Sequence, residues 1–335
     1  MGDPVGIGPE IILKVLVEKS VYETCRPLVL GDVAVMTATN QWLRTGLRIR
    51  PVDAPEAGLY QSGSIDVIGL SHLDYGQLQY GHPTQKTGRA MVAYVTRGID
   101  WAMKGRIHGL ATCPINKLAM HMAGIDFDGH TELLAQRTKT SEYVMMLAGS
   151  RLRVALATIH LPLARVPEKL TTEVVFKTIR ITEEALMNSF GIPRPKLAVA
   201  ALNPHAGENG LFGDEETRVI SPALHRAAEA GIHVSGPYPA DTLFYWALKG
   251  RWDAVIAMYH DQGLIPFKMV HFPDGVNTTL GLPIVRTSVD HGTAYDIAGA
   301  GKADPGSLVA AIQMAAQHAM QRAQGRGRRA EGKLQ

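Results

Sequence analysis

Short apolar runs alternate along this chain with longer segments of helical periodicity, and this alternation limits the possible folds more than any other feature. The segment 87–105 has apolar residues at helical spacing and stops at a glycine, which predicts a helix. The apolar runs end in turn residues, which predicts strands, and they lie at 26–32, 107–117, 151–163, 196–210 and 252–263. Strands that alternate with helices in this way indicate an α/β protein whose sheet is largely parallel.

Composition narrows the class of protein further. Of the 335 residues, 46% are hydrophobic and 19% are charged, which is typical of a packed globular chain long enough for two domains. No stretch has the length and apolar character of a membrane span, and no signal peptide opens the chain. The net charge of +3 owes much to a basic tail at 326–335, expected to be disordered, so we do not expect nucleic-acid binding. Two cysteines without CxxC partners favour the cytoplasm.

Three of the predicted strands share a further feature, because each delivers a histidine at or just beyond its carboxyl end. These histidines are His160, His205 and His260. Ligands of open α/β sheets collect beyond the carboxyl ends of the strands, and neutral imidazole is the commonest protein ligand of divalent metals. A lone histidine at a strand end is more often a hydrogen-bonded loop residue. Three at equivalent ends favour a catalytic metal site that leaves positions open for water or substrate.

Two other stretches carry groups that suit an anion. In "GHTELLA", His130 and Thr131 open a predicted helix, and Thr131 is either its N-cap or, with His130, part of an anion site at the helix N-terminus. Further along, Lys268, Asn277 and Arg286 supply a cation, an amide and a second cation, separated by short apolar stretches. Such a set suits a phosphate or carboxylate, since arginine acts as a bidentate fork and lysine as a point charge.

The opening stretch "MGDPVGIGPEI" has the composition of a phosphate-binding loop but fails the dinucleotide fingerprint. Gly6 and Gly8 supply the first two glycines, but Ile11 occupies the third position, and no acidic residue follows at a suitable spacing. Pro9 and Glu10 instead suit the first turn of a helix. We therefore interpret this stretch as a strand-to-helix turn rather than a nucleotide site.

A series of longer motifs runs through nearly the whole chain. In order, they are "GDPVGIGPEI", "CPINK", "GHTELLA", "ATIHLPL", "LNPHAGENGLFGDEE", "GPYPADTLF", "AMYHDQGLIPFK" and "GVNTTLGLPIVRTSVDHGTAYDIAG". With these motifs the chain resembles the 4-hydroxythreonine-4-phosphate dehydrogenases. The forms "NPHAGENGLFGDEETR" and "HDQGLIPFK" are most similar to the branch that acts on D-threonate or D-erythronate 4-phosphate. Members of the family carry a short apolar strand before "GDP", so we expect such a strand upstream of Met1.

The resemblance implies an architecture similar to that of isocitrate and isopropylmalate dehydrogenases. Two α/β/α domains are then expected, with the active-site cleft between them, in a homodimer whose active site draws on both subunits. The first domain, on the NAD side, is expected at 1–120 plus 265–325. The second domain, on the metal and dimer side, is expected at 121–264.

The resemblance also implies roles for individual residues. The ligands of a divalent metal (Zn, Mg, Co or Mn) fall on the three strand-end histidines. Substrate-binding positions fall on His130, Thr131, Lys268, Asn277 and Arg286. NAD or NADP is expected beside the loop residues His291, Gly292, Thr293, Asp296 and Gly299. Asp241 and Lys268 are the candidates for acid–base catalysis.

The chemistry implied is the oxidation and decarboxylation of a 4-phosphorylated four-carbon 3-hydroxy acid, in pyridoxine biosynthesis or D-threonate catabolism. A hydride passes to the nicotinamide, the resulting β-keto acid loses carbon dioxide, and the metal acts as a Lewis acid. Two alternatives stay open, a phosphate acyltransferase of the same broad fold and a non-catalytic metal-binding homologue. A metal assay separates the first of these, because phosphate acyltransferases lack the three-histidine set.

Overall fold

A computed structural model describes residues 1–125 and 129–331, the last six of them by their backbone alone. The chain divides into two compact units, which consist of 1–141 with 282–316 and of 142–281 with 317–335. The boundaries expected from the sequence lie at 120/121 and 264/265, so the units differ from the expected domains in their limits. Lys268 and Asn277, expected in the first domain, belong to the second unit.

Elements are numbered in chain order. The first unit has the strands β1 Val29–Gly31, β2 Arg48–Pro51, β3 Ser64–Gly69, β4 Leu110–Thr112 and β11 Arg286–Val289. Its helices are α1 Gly8–Leu16, α2 Lys19–Thr24, α3 Val33–Leu43, α4 Gln85–Met103, α5 Lys117–Met122, α6 His130–Thr138 and the start of α12 Gly306–Glu331.

The strands of the first unit pair in parallel. β3 lies between β1 and β2, and β4 pairs with β11 so that Leu110 faces Arg286. A core of fully buried side chains joins α1, α3 and β3, with Ile11, Met36 and Val67 among its members. Helix α1 has Pro9 in its first turn, which confirms the interpretation of the opening stretch as the start of a helix.

The second unit has the strands β5 Val144–Ala148, β6 Arg153–Leu156, β7 Leu197–Ala200, β8 Val234–Tyr238, β9 Ala254–Ala257 and β10 Val276–Leu280. Its helices are α7 Val166–Lys169, α8 Thr172–Asn188, α9 Ser221–Glu229, α10 Ala240–Leu248 and α11 His260–His271.

The strand order of the second unit is β10-β5-β6-β9-β7-β8. Strands β6, β9, β7 and β8 run parallel, whereas β5 is antiparallel to both of its neighbours. The short sequences of β7 and β9, LAVA and AVIA, are buried throughout, as expected of central strands covered on both faces. Helices α10 and α11 supply Leu243, Phe244 and Phe267 to the core against this sheet.

Each apolar run named from the sequence contains a strand, and the helix predicted at 87–105 is α4, so the predicted α/β class is confirmed. The backbone of α12 is helical through Glu331, and the remainder of the basic tail, 332–335, lies outside the described residues. Among the helices that the structure describes, none combines the length and the apolar character needed to cross a membrane.

Candidate functional site

The three strand-end histidines of the second unit follow three neighbouring parallel strands. His160 follows β6, His260 follows β9 as the first residue of α11, and His205 follows β7. Because β6, β9 and β7 are adjacent and parallel, their carboxyl ends lie at one edge of the sheet. The rings of His160 and His260 are close there, with centroids 5.6 Å apart and planes tilted by 43°. The Nδ1 atom of His260 lies 2.7 Å from a carboxylate oxygen of Asp261.

His205 lies in a segment of unusual backbone geometry. Five consecutive residues, from His205 to Asn209, have left-handed φ and ψ angles, and His205 itself has φ 52° and ψ 28°. In this region a residue with a side chain costs about 1–2 kcal/mol, so the surroundings must hold the segment in place. The buried Glu216 does part of this, since its Oε1 accepts hydrogen bonds of 2.8 Å from the backbone N–H groups of Leu202 and Asn203.

The side chains partly fit a divalent metal. The spacing of the His160 and His260 rings suits two imidazoles that reach one ion, because metal–nitrogen bonds are about 2.0–2.1 Å long. His205 lies against Phe212, with ring centroids 6.1 Å apart. In the described part of the chain, no group of three or more His, Cys, Asp or Glu side chains is arranged to hold an ion. A single chain therefore brings together two of the predicted ligands, and the complete set of three stays a prediction.

The two candidate acid–base residues also lie on elements that begin at this edge. Asp241 is exposed in the first turn of α10, which follows β8, the parallel neighbour of β7. Lys268 is half-buried on α11, about two turns after His260. Strand order therefore accounts for the position of both residues in the unit that carries the histidines.

In the first unit, Arg286 is buried, and its charge acts on the half-buried His130. Arg286 opens β11 and is 3% exposed, and its Nη2 donates a 3.0 Å hydrogen bond to the Thr112 hydroxyl. Burial lowers the pKa of the Arg286 guanidinium to about 10, against the opposing effect of Glu132. Burial, together with the charge of Arg286, holds the pKa of the His130 imidazole well below its usual value, so this ring is neutral. A buried cation beside a neutral imidazole is a suitable receptor for an anion.

Two predicted substrate residues have polar atoms that await a partner. The His130 Nε2 and the Asn277 Oδ1 are inaccessible to solvent and have no hydrogen-bond partner among the described residues. Helix α6 begins at His130 with Gly129 as its N-cap and no side-chain cap, so the alternative in which Thr131 caps this helix is wrong. The Thr131 hydroxyl is therefore outside the capping role. His130, Thr131 and Arg286 belong to the first unit, and Lys268 and Asn277 to the second.

The loop expected to face the nicotinamide cofactor packs against the opening stretch of the first unit. The backbone N–H of Ile7 donates to the carbonyl of Thr293 at 3.1 Å, and the Tyr295 hydroxyl donates to the carboxylate of Asp3. Burial raises the pKa of Asp3. A Cβ at Gly6 would lie 3.1 Å from the Thr293 carbonyl, which accounts for a glycine at this close approach.

The remaining cofactor positions occupy the same loop. Gly299 has φ +78°, and a Cβ there would lie 2.4 Å from the ring of Tyr80. The His291 Nε2 is inaccessible and has no partner within the described residues, whereas Gly292 and Asp296 are exposed. Sequence reasoning missed the hydrogen bonds of Glu216 and the pairing of Asp3 with Tyr295. In both contacts the bonded groups come from separate parts of the chain.

Comparisons with known proteins identify the family to which the chain belongs. Residues 23–315 match the family described as pyridoxal phosphate biosynthetic protein PdxA. The chain is 57% identical to 4-hydroxythreonine-4-phosphate dehydrogenase of Desulforapulum autotrophicum, over 94% of this chain and 93% of that protein. It is 45% identical to D-threonate 4-phosphate dehydrogenase of Cupriavidus necator, over 96% and 97% of the two chains.

A solved structure gives the same result for the fold. The crystal structure of 4-hydroxythreonine-4-phosphate dehydrogenase from Klebsiella pneumoniae matches with a TM-score of 0.88 and 41% identity, and the match covers 95% of this chain and 96% of that one. The extent and level of these matches confirm the resemblance inferred from the motifs. The chain therefore belongs to the family of the pyridoxal phosphate biosynthetic protein PdxA.

Proposed function

We propose that this chain is a dehydrogenase that uses NAD or NADP and a divalent metal to oxidise and decarboxylate a 4-phosphorylated four-carbon 3-hydroxy acid. The observation that carries the proposal is the alignment of His160, His260 and His205 at the carboxyl ends of three adjacent parallel strands. Such an edge is the usual position of a ligand in an open α/β sheet. The relatives named dehydrogenases of 4-hydroxythreonine 4-phosphate and D-threonate 4-phosphate support the substrate class.

The substrate's anionic groups have a matching receptor in the first unit. Arg286 is buried and keeps a cation in a region of low polarity, where a charge-assisted hydrogen bond to phosphate or carboxylate is strong. The neutral His130 offers a ring nitrogen that has no protein partner in the described residues. In this proposal the remote phosphate provides binding energy that positions the reacting carbon.

The oxidation step removes a hydride and a proton from the same secondary alcohol group. The hydride leaves the alcohol carbon for the nicotinamide ring, while a base takes the hydroxyl proton, which gives a β-keto acid. The bond to the carboxylate then breaks, carbon dioxide leaves, and the resulting enolate takes up a proton. Asp241 and Lys268 are the candidates for these proton transfers.

The histidines have a distinct part in the proposal. A bound divalent metal supplies Lewis-acid polarisation of the substrate oxygen. The chain's own contribution is to hold the imidazoles at defined positions, with His160 and His260 already 5.6 Å apart. Imidazole nitrogens suit zinc, cobalt and related ions better than they suit ions that prefer oxygen ligands.

The loop at 291–299 is the proposed cofactor surface. Gly292 and Asp296 of this loop are exposed, and a glycine lets the backbone approach a flat ligand closely. The unpartnered His291 Nε2 supplies a polar atom there. The opening stretch acts in this proposal as a support for the loop rather than as a nucleotide fingerprint.

A homodimer is part of the same proposal. Ile265 and Met269 on α11 and Phe272, its C-cap, are 59%, 83% and 79% exposed, and their spacing puts them on one face of the helix. The same helix begins with His260. Because the described residues of one chain do not close the histidine set, we infer that a second copy covers this apolar face and that the two subunits share the site.

An activity panel tests the proposal. The purified protein is mixed with NAD or NADP and with 4-hydroxythreonine 4-phosphate, D-threonate 4-phosphate or D-erythronate 4-phosphate, with and without a chelator. We expect reduced nicotinamide and carbon dioxide in equal amounts from at least one substrate, and no turnover with the unphosphorylated analogues. Acyl transfer to phosphate instead, or no turnover with any of these substrates, contradicts the proposal.

A further inference from the structure

We propose that Gln262 is a positioning residue for the strand-end histidines, an inference that rests on the metal site proposed above. Its side-chain amide bridges the two strand ends that carry His205 and His260, and so sets the distance between them. The residue lies on the first turn of α11, two positions after His260, and is buried.

The bridge consists of two short hydrogen bonds to different strands. The Gln262 Oε1 accepts from the backbone N–H of Met258 at 2.7 Å, one residue beyond β9. The Gln262 Nε2 donates to the carbonyl of Ala201 at 2.7 Å, one residue beyond β7. Both ends of the amide are therefore used outside the helix to which the residue belongs.

The register of the sheet explains what this bridge does. β7 and β9 pair with Val199 opposite Ile256, so the same register puts Ala201 opposite Met258. Instead of continuing the ladder, these two residues bind the two ends of one side-chain amide. The amide ends the pairing of the strands and holds their exits at a fixed separation, from which the segments with His205 and His260 depart.

The neighbouring exits are tied to the same point. The Thr158 hydroxyl donates to the Met258 carbonyl at 2.7 Å, which links the end of β6, and hence the segment leading to His160, to Met258. On the other side, Glu216 binds the backbone N–H groups of Leu202 and Asn203, directly after Ala201. Gln262 is therefore the central member of a row of hydrogen bonds that crosses all three exits.

The packing of α11 lets the amide reach both strands. A Cβ at Gly263 would lie 2.7 Å from Val154 Cγ1 and 2.9 Å from Leu156 Cδ2, so a glycine is needed for the first turn to rest on β6. The N-cap Tyr259 makes no side-chain cap bond. An ordinary helix start would use a polar N-cap, whereas this one uses its third residue to bind strands that bear the candidate ligands.

The exposure of the histidines explains why this row of hydrogen bonds matters for the metal site. His160 and His205 are exposed and His260 is half-exposed, so core packing does not enclose their rings. The segments that carry them leave the sheet at exits that these hydrogen bonds cross. Groups that support metal ligands in this way typically change metal affinity by 10–100-fold when they are removed.

Cobalt binding by metal-free full-length protein tests the inference. Gln262→Met removes both hydrogen bonds and nearly preserves volume. Asn40→Leu is the matched control, because the Asn40 side chain likewise donates to a backbone carbonyl, that of Leu47, at 2.7 Å, in the first unit. The readouts are the dissociation constant for Co²⁺, the absorption spectrum of the bound ion and the melting temperature without metal.

We expect Gln262→Met to weaken Co²⁺ binding by about 10–100-fold and to change the spectrum. Asn40→Leu should lower the melting temperature but leave the affinity and the spectrum as in the wild type. If Gln262→Met does not fold, Thr158→Val takes its place, with a smaller loss of affinity in the same direction. Wild-type affinity and spectrum in a folded variant overturn the inference alone. A wild-type protein that binds no cobalt overturns both the inference and the proposed function.

Discussion

The two units present their candidate functional groups in opposite ways. In the first unit, Arg286 is buried, and burial shifts the pKa values of both Arg286 and His130. In the second unit, His160 and His205 are exposed, and hydrogen bonds across the strand ends hold the segments that carry them. The first arrangement suits strong binding of an anion, and the second suits the delivery of ligands to a shared position. Substitutions in each unit test this difference.

The largest effect is expected at Arg286. Arg286→Ala removes a buried partner of an anion, which typically costs about 2–5 kcal/mol. We expect the KM for the phosphorylated substrate to rise far more than the KM for the nicotinamide, as measured by steady-state kinetics with each substrate varied in turn. Arg286→Lys is the control, because it keeps the charge and loses the fork, and it should recover part of the loss. An equal rise in both KM values would mean that Arg286 faces the cofactor.

An intermediate effect is expected in the left-handed segment of the second unit. Gly207 has φ +80°, and a Cβ there would lie 2.7 Å from the Glu216 Oε2, whereas a Cβ at Gly210, with φ +96°, meets no atom of the described residues within 4 Å. Both alanine variants carry the left-handed penalty of about 1–2 kcal/mol. Only Gly207→Ala also disturbs the Glu216 bridge, so it should lower the melting temperature more and weaken metal binding. Equal metal affinities in the two variants would show that the bridge does not position His205.

The smallest effect is expected from the pH dependence of the first unit. The folded pKa of His130 lies below the ordinary value of 6.5, so the unfolded chain takes up the proton first as the pH falls. The stability from the neutral ring is fully present above pH 6.5 and is lost progressively below it, down to the lowered folded pKa. We expect His130→Gln to flatten this acid loss in denaturant titrations between pH 7 and pH 5. An unchanged slope would contradict a neutral His130 with a lowered pKa.

Much of the fold follows from local patterns, whereas the site depends on contacts that the sequence does not display. The apolar runs that hold β6, β7 and β9 were readable because buried central strands lack polar interruptions. That β9 lies between the other two is a consequence of topology, and only the structure supplies it. The antiparallel β5 likewise departs from the alternating pattern, which suggested a largely parallel sheet.

Individual residues mark the limits of sequence reasoning within the site. The place of His205 after a strand is visible in the sequence. Nothing in "NPHAGEN" indicates five left-handed residues, since most of them carry side chains that disfavour that region. Thr131 is a residue type that often serves as an N-cap, yet Gly129 occupies that position in α6. Gln262 lies in the motif "HDQGLIPFK", but its partners Met258 and Ala201 follow two different strands, β9 and β7.

Removal and return of the metal test whether the strand-end histidines support catalysis by holding it. The wild-type protein and His205→Ala are treated with a chelator, dialysed, and assayed for nicotinamide reduction before and after a divalent metal is added. We expect the metal-free wild type to be inactive and to recover with metal. His205→Ala should stay folded yet remain more than about 100-fold less active, since even residues that only support ligands cost 10–100-fold. Full activity of the metal-free wild type would contradict the assignment of the strand-end histidines.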